Sequence, residues 1–484
     1  MRTASALAKT SAGVSILIIV LIVGTSLEPF ANASETVTPL EHIFVIMQEN
    51  HSFDNYFGTY PTANKTLSTD LTSQLQNVSG FPEGICLSID GACVSPYLAN
   101  GTSTPNPVEG QLTYEADFNG GRMDGFGRFS GIQSLAYFDY HQIAAYWDYA
   151  EEYGIANAYF ASAITTTTPN RLMLLAGDSP VSQNYGPPPF IPYNMTLLGQ
   201  LAAHGVSWGY YDFLSAYGTV RNVYPLNFTA GMGSDDLNKI QDISTLLRDL
   251  SQNDGLPSVN FVMALGSDGL DEHPSENVTA GEMWTVSIIN AIMRSSYWTS
   301  SAIFLTWDEG GGYYDHVPPP QVLKINHGFD HELDGYGQRV PFLVISPYAK
   351  ENYVSTTVLN HMSIDKFIEY NWRITPLTQN IADSNNLLDF FYFSGTPRSP
   401  IILEPNGPNS YASYPIPIQI PLTDLPYTRI GPANETGSGS NATPFYTTPF
   451  VLTAIFVTGI AILLLVTFRK SWGRHRQTSF ATSA

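Results

Sequence analysis

Four groups able to bind a cation or move a proton fall within six residues: Glu49, Asn50, His51 and Asp54, at the end of the apolar run 43–47. A second apolar run, 302–307, ends in Asp308-Glu309, followed by Gly310, Gly311 and Gly312 and then by Asp315-His316. A third, 259–265, leads into Asp268, Asp271 and His273. Three apolar runs thus end in carboxylates and imidazoles. Crowded carboxylates repel one another unless a cation sits among them, so the pattern implies a divalent metal of unspecified identity. A plainer reading competes residue by residue, because an acid just after a strand is ordinarily a turn or helix cap. His51 or Asp54 alone would mean no more than that. The three glycines weigh against it at Asp308-Glu309, since they permit close backbone approach. His204 and His361 read as packing or surface histidines.

The run of threonines before Pro169-Asn170-Arg171 offers a different chemistry. Thr168 reads as a helix N-cap, with Pro169 as the first helical residue. The functional reading is a hydroxyl at a helix N-terminus, where backbone N–H groups and the dipole favour a phosphate. Coordination to a metal would lower the pKa of such a hydroxyl and make it a nucleophile.

These groups can meet only if the elements bring their ends to one edge. Apolar runs at 206–212, 259–265, 302–309 and 340–347 alternate with helical patterns such as 139–154 and 280–298. Strands alternating with helices predict an α/β fold with a mainly parallel central sheet flanked by helices. In such sheets ligands gather beyond the carboxyl ends of the strands. The Ser/Thr/Gly/Pro-rich region of about 60–113 reads as a surface insertion, and Cys86 and Cys93 inside it as a loop-closing disulfide. No internal repeat is present.

Net charge is −21 with 21 Lys and Arg, which excludes a phosphate-backbone binder; nucleic acid is not an expected partner, while a small phosphorylated substrate stays open if a metal supplies positive charge. Residues 1–33 read as a secretory signal peptide, with an uncleaved anchor as the rival. The exported domain covers 35–395 and a Pro/Ser/Gly-rich stalk 396–448. The apolar run 449–468 is long enough for a transmembrane helix, and Arg469, Lys470, Arg474 and Arg476 would hold the tail 469–484 in the cytoplasm. The expected location is the cell membrane, single-pass, with the catalytic domain outside. Sequons at Asn64, Asn77, Asn100, Asn194, Asn227, Asn277, Asn434 and Asn441 fit a glycosylated surface protein. A charged fraction of 13% with an acidic balance fits an exterior at low pH.

The stretches "EHIFVIMQENHSFDNYFGTYP", "GGRMDGFG", "TTPNRLMLLAG", "DEHPS", "TWDEGGGYYDHVPPP" and "GYGQRVPFLVISPYAK" together resemble, in this order over about 41–372, the phosphoesterase family of bacterial phospholipases C and acid phosphatases. The resemblance implies an alkaline-phosphatase-like core and a metal held by Glu49, Asn50, Asp308 and Glu309. It places the nucleophile at Thr167 rather than the capping Thr168, and His273 near the phosphoryl oxygens or the leaving group. Asn170 and Arg171 would steady the turn, Arg171 touching phosphate, and Asp315 and His316 would lie near the site. One departure stands out: relatives carry a histidine shortly before "GGRMDGF", whereas none occurs here between His51 and His141. A leaving-group contact is then absent or supplied by Tyr114.

The expected activity is metal-dependent hydrolysis of phosphate esters through a phosphothreonine intermediate, leaning toward acid phosphatase. A phospholipase C acting on phospholipid head groups is the alternative. A non-catalytic glycosylated surface protein is the rival of another class, and the full set of site residues tells against it.

Overall fold

The computed structural model describes residues 35–60, 78–184, 190–267, 269–320 and 335–403. The chain divides into units Met1–Pro426 and Tyr427–Ala484. Outside the described residues lie the signal segment, Asp268, the sequons at Asn64, Asn77, Asn434 and Asn441, the stalk beyond 403, the apolar run 449–468 and the tail.

Eight strands form the central sheet: β1 His42–Gln48, β2 Gly154–Ala156, β3 Trp208–Asp212, β4 Ile240–Asp242, β5 Val259–Met263, β6 Ser301–Trp307, β7 Phe342–Ile345 and β8 Tyr353–Ser355. Their order is β4-β3-β5-β1-β6-β7-β2-β8. Every neighbouring pair is parallel except those made by β7, which runs against both β6 and β2. The expected mainly parallel α/β sheet is therefore present, with one reversed strand. β4 and β8 escaped the sequence reading because each is three residues long and only partly apolar.

β1 lies between β5 and β6 and is buried from Ile43 onward, which is why it reads as a continuous apolar run rather than an alternating one. Its register pairs Met47 with Met263 and Gln48 with Trp307, so the three strands end at one level. The principal helices are α1 Gln111–Phe118, α2 Tyr140–Glu152, α3 Thr167–Ala176, α4 Val278–Arg294 and α5 His361–Asn371. α2 packs against α4, and α3 against α5.

Helix α3 begins earlier than the sequence predicts. Thr166, in extended conformation, is the N-cap and makes no side-chain cap bond, while Thr167 and Thr168 are already helical. Pro169 is third in the helix, a position it tolerates because first-turn N–H groups have no intrahelical acceptor.

Cys86 and Cys93 form the expected disulfide, with Cα atoms 5.4 Å apart, across a hairpin of Leu87–Ile89 and Ala92–Val94. Asn100 and Asn194 stand exposed, whereas Asn227 and Asn277 are half-buried and Asn277 caps α4. Among the described residues no helix is long and apolar enough to cross a membrane.

Candidate active site

Because β1 and β6 end together, Glu49 and Asp308 leave the sheet side by side, and the Asp308 N–H donates to the Gln48 carbonyl at 3.2 Å. Asp308 Oδ1 then accepts from the backbone N–H of Asn50 (3.1 Å) and of Glu309 (2.8 Å), tying both strand ends into one turn. Asn50 adopts a left-handed backbone with φ of 60°. Gly311, at φ +61°, packs on it so closely that a Cβ would lie 2.2 Å from the Asn50 carbonyl oxygen. The close backbone approach that the glycines permit is here made by the chain's own backbone at Asn50, across the small gap between the two loops.

Glu49, Asn50, Asp308 and Glu309 are all buried. Burial, and next the charge of Asp308, hold the Glu49 carboxyl well above the usual carboxylate range. Burial does the same for Glu309, followed by the charges of Glu109 and Asp308.

Arg171, fully buried, donates Nε–H to Asp308 Oδ2 at 2.9 Å and approaches Glu49 Oε1 at 3.4 Å. Its remaining N–H groups reach the Gln48 carbonyl at 3.1 Å and the Met47 carbonyl at 3.4 Å. Burial opposes the guanidinium charge, but Asp308 and Glu49 raise its pKa nonetheless. The arginine expected to touch phosphate is engaged with two of the site's own carboxylates. Asn170 does steady the turn: it accepts the Ala163 N–H (2.9 Å) and donates to the Thr165 carbonyl (3.0 Å). Thr167 precedes Arg171 by one helical turn and so shares its face of α3. It is 5% exposed, and its hydroxyl makes no hydrogen bond among the described residues. Thr168 is occupied instead: its N–H donates to Asn184 Oδ1 (2.7 Å) and its hydroxyl meets the Tyr224 hydroxyl (2.6 Å).

One residue missed by the sequence reading lies among these groups. Glu109 accepts from Asn50 Nδ2 at 2.9 Å, and its carboxylate stands 3.9 Å from His273 Nε2. It sits in the segment expected to be a surface insertion, which the Val108–Ser130 backbone bond (2.9 Å) turns inward. A lone carboxylate in a Pro-rich loop carried no periodic or motif signal. Burial raises its pKa. Tyr114, the suggested substitute for a leaving-group histidine, donates to Glu309 Oε2 at 2.9 Å. His273 is held by its own N–H on Asp271 (3.2 Å), and burial pushes the Asp271 carboxyl up to about 6.

Glu272 between them faces the other way. Its buried carboxylate accepts from Tyr56 (2.7 Å), Trp307 Nε1 (3.0 Å), Gln48 Nε2 (3.3 Å) and the Tyr146 hydroxyl. The residue anchors the loop that carries Asp271 and His273. His51 also turns inward, its ring nitrogens facing the Asn55 amide (2.7 Å) and the Glu272 carbonyl (2.8 Å); burial lowers its pKa to about 4.

Asp315 and His316 join Asp54 in a second cluster, whose ligand atoms lie within 4.8 Å of one another. Among the described residues no other trio of His, Cys, Asp or Glu is so close. Arg339 already supplies the counter-charge there, bonding Asp54 Oδ1 at 2.9 Å and Asp315 at 3.1 Å. His316 Nδ1 lies 2.6 Å from Asp54 Oδ2. The first set is less contracted, with Arg171 between Glu49 and Asp308, but it is not neutral. Among the described residues, Glu49, Asp308, Glu309 and Glu109 face a single guanidinium, and Asn50 Oδ1 and Glu309 Oε1 are buried without a hydrogen-bond partner. Orphaned hard oxygens amid uncompensated carboxylates fit a divalent cation.

A model of the Phosphoesterase family matches residues 40–375. Non-hemolytic phospholipase C of Pseudomonas aeruginosa is 26% identical over 459 residues, covering 82% of this chain and 64% of that protein. Phospholipase C B of Mycobacterium tuberculosis is 26% identical, covering 69% and 73%. Non-specific phospholipase C1 of Arabidopsis thaliana is 24% identical, covering 74% and 72%. The chain spans 64%, 58% and 56% of the lengths of the three Pseudomonas and Burkholderia phospholipases that it matches. Among solved structures, a protein in the alkaline phosphatase superfamily from Vibrio parahaemolyticus is 10% identical at a TM-score of 0.36, covering 72% of this chain and 70% of that one.

Proposed function

The chain belongs to the phosphoesterase family, and on that premise we propose that it is a phosphoric ester hydrolase acting outside the cytoplasm through a covalent phosphothreonine. The observation that carries the reading is a threonine hydroxyl without a hydrogen-bond partner among the described residues, one helical turn from an arginine that clamps two buried carboxylates of a cation-deficient cluster. Thr167 Oγ1 attacks phosphorus as it gives up its proton, and the bond from phosphorus to the leaving oxygen breaks as that oxygen takes up a proton. Water later cleaves the bond between threonine and phosphorus, restoring the hydroxyl and releasing phosphate from a monoester or a phosphomonoester from a diester. Glu49, Asn50, Asp308 and Glu309 would hold a divalent metal, which supplies positive charge for the phosphoryl oxygens and lowers the pKa of a nearby hydroxyl. Arg171 holds Glu49 and Asp308 in position, and His273 with Glu109 lines the leaving-group side.

The sequence leans toward monoesters, but the relatives are named phospholipases C. That favours a phospholipid diester, cleaved between glycerol and phosphate. The disulfide supports an oxidising, extracytoplasmic location. The apolar run 449–468 would tether the enzyme to the membrane.

Release of p-nitrophenol from p-nitrophenyl phosphorylcholine and from p-nitrophenyl phosphate, with and without chelator, tests this. Chelator-sensitive hydrolysis of the diester is expected. Hydrolysis of the monoester alone would restore the phosphatase reading, and no hydrolysis of either with metals added back would point to the non-catalytic surface protein. Thr167→Ala should abolish turnover with the fold intact; wild-type rates in that variant would refute the nucleophile.

A further inference from the structure

We propose that Ser79, His316 and Asp54 form a second hydrolytic centre, a serine site for carboxylic esters with a small acyl group, independent of the phosphoester reading above. Ser79 Oγ lies 3.0 Å from His316 Nε2, and the other ring nitrogen, Nδ1, lies 2.6 Å from Asp54 Oδ2. A hydroxyl, an imidazole and a carboxylate joined in that order are the parts of an acyl-transfer relay, which is recognised by geometry and not by place in the chain. Asp54 comes from the short helix Phe53–Phe57, His316 from the turn after β6, and Ser79 from a loop whose Phe81 N–H bonds the Gly58 carbonyl at 2.7 Å.

The surroundings fix the proton pattern. Arg339 takes Asp54 Oδ1 at 2.9 Å and leaves Oδ2 to the imidazole. A carboxylate paired with a guanidinium only accepts, so Nδ1 carries the ring proton and Nε2 is the acceptor facing the serine hydroxyl. The His316 backbone N–H also donates to Asp54 Oδ2 (2.8 Å), holding the ring against the carboxylate. Asp315 is filled as well, by the N–H groups of Asp54 (3.0 Å) and Val317 (2.8 Å) and by Arg339. Every carboxylate oxygen of the cluster therefore has a donor, which suits a relay better than a cation. Ser79 is half-buried and the His316 side chain is 14% exposed, so the hydroxyl admits only a slender acyl group.

Donors for the developing oxyanion stand beside the serine. The Gly80 N–H makes only a bent three-residue bond, to the Val78 carbonyl at 3.1 Å, among the described residues. The N–H after the nucleophile is the one that serves an oxyanion hole in hydrolases with the serine on a tight turn. Asn157 Oδ1 accepts the Ser79 N–H at 2.7 Å, and its Nδ2 makes no hydrogen bond among the described residues. The chemistry balances with water alone. Ser79 Oγ bonds the acyl carbon as its proton passes to His316 Nε2, and the carbon–oxygen bond to the alcohol breaks as the alcohol takes that proton. Water then cleaves the acyl-serine, restoring the hydroxyl and releasing the acid.

A tether between two loops would need the same two bonds but would leave the serine unreactive, and that difference is measurable. The full chain is treated with a fluorophosphonate, and the modified residue is located by peptide mass spectrometry. Hydrolysis of p-nitrophenyl butyrate and of p-nitrophenyl phosphorylcholine is compared between the wild type and Ser79→Ala. Labelling at Ser79 is expected, with butyrate hydrolysis about 100-fold or more slower in the variant and the phosphorylcholine rate unchanged. No label on Ser79, a variant as fast as the wild type on butyrate, or a parallel fall on both esters overturns the proposal. If Ser79→Ala does not fold, the labelling of the wild type decides. If the wild type leaves p-nitrophenyl phosphorylcholine intact, the phospholipase reading fails, while the label and the butyrate rates still decide this one.

Discussion

Arg171 illustrates how a residue type can be legible while its partner is not. The "TTPNR" stretch marked it as a group near phosphate, yet its guanidinium bonds Asp308 (2.9 Å) and approaches Glu49 (3.4 Å) with almost no exposure. Removing one side of a buried pair strands the other. Arg171→Met should therefore destabilise the metal-free protein by about 3–5 kcal/mol, read from urea unfolding, with part of the loss recovered when a divalent cation is added. A variant as stable as the wild type would return Arg171 to direct phosphate binding. Glu109 is the opposite case, a site residue without a sequence signal. Glu109→Ala leaves Asn50 Nδ2 without its acceptor, which should lower stability by about 1–3 kcal/mol, again read from urea unfolding; an unchanged midpoint would mean that bond contributes nothing.

Among the elements, the turn after β6 decides the site's shape, because Gly311 lies against the carbonyl of Asn50. Gly311→Ala adds a Cβ that would sit 2.2 Å from that oxygen, at a φ of +61°. The left-handed backbone alone carries a penalty of about 1–3 kcal/mol for a non-glycine residue. The expected outcome is a lowered melting temperature together with weaker divalent-cation binding by calorimetry, since Asn50 must move. Gly→Ala with unchanged cation affinity would show the two loops to be independent. The loop after β5 is fixed differently, by the Glu272 carboxylate among Tyr56, Trp307, Gln48 and Tyr146. Nothing in "DEHPS" told which of its acids would turn inward, because that depends on donors contributed by distant elements.

For the whole molecule, buried carboxyl groups dominate the pH response. Burial raises Asp117, Glu272 and Glu369 each to about 7. Their unfolded values lie near 4. The folded chain binds these protons more tightly, so they contribute stability that is complete below about pH 4 and is lost as pH rises through 7. His51 and His361 act in the reverse sense. Burial lowers both to about 4, so their contribution is full above about pH 6.5 and is lost toward pH 4. The carboxyls outnumber the histidines, and the chelated protein should unfold at progressively lower urea as pH rises from about 5 to 8. A midpoint that climbs over that range would contradict the burial of these groups.

By itself the sequence determined the α/β class, the strand ends that carry Glu49, Asn50, Asp308 and Glu309, the threonine turn and the disulfide. Each is a local pattern: an apolar run, a glycine or proline stop, a cysteine pair. Only the tertiary structure decided which neighbours those groups meet. His51 and Glu272 turn into the core, Asp54 and Asp315 pair with Arg339, and Glu109 comes inward from a region without periodicity. Such pairings join residues far apart in the chain, and a buried charge settles with whichever distant partner satisfies it. That choice is made by the register of β1 against β5 and β6, not by any single stretch of the chain.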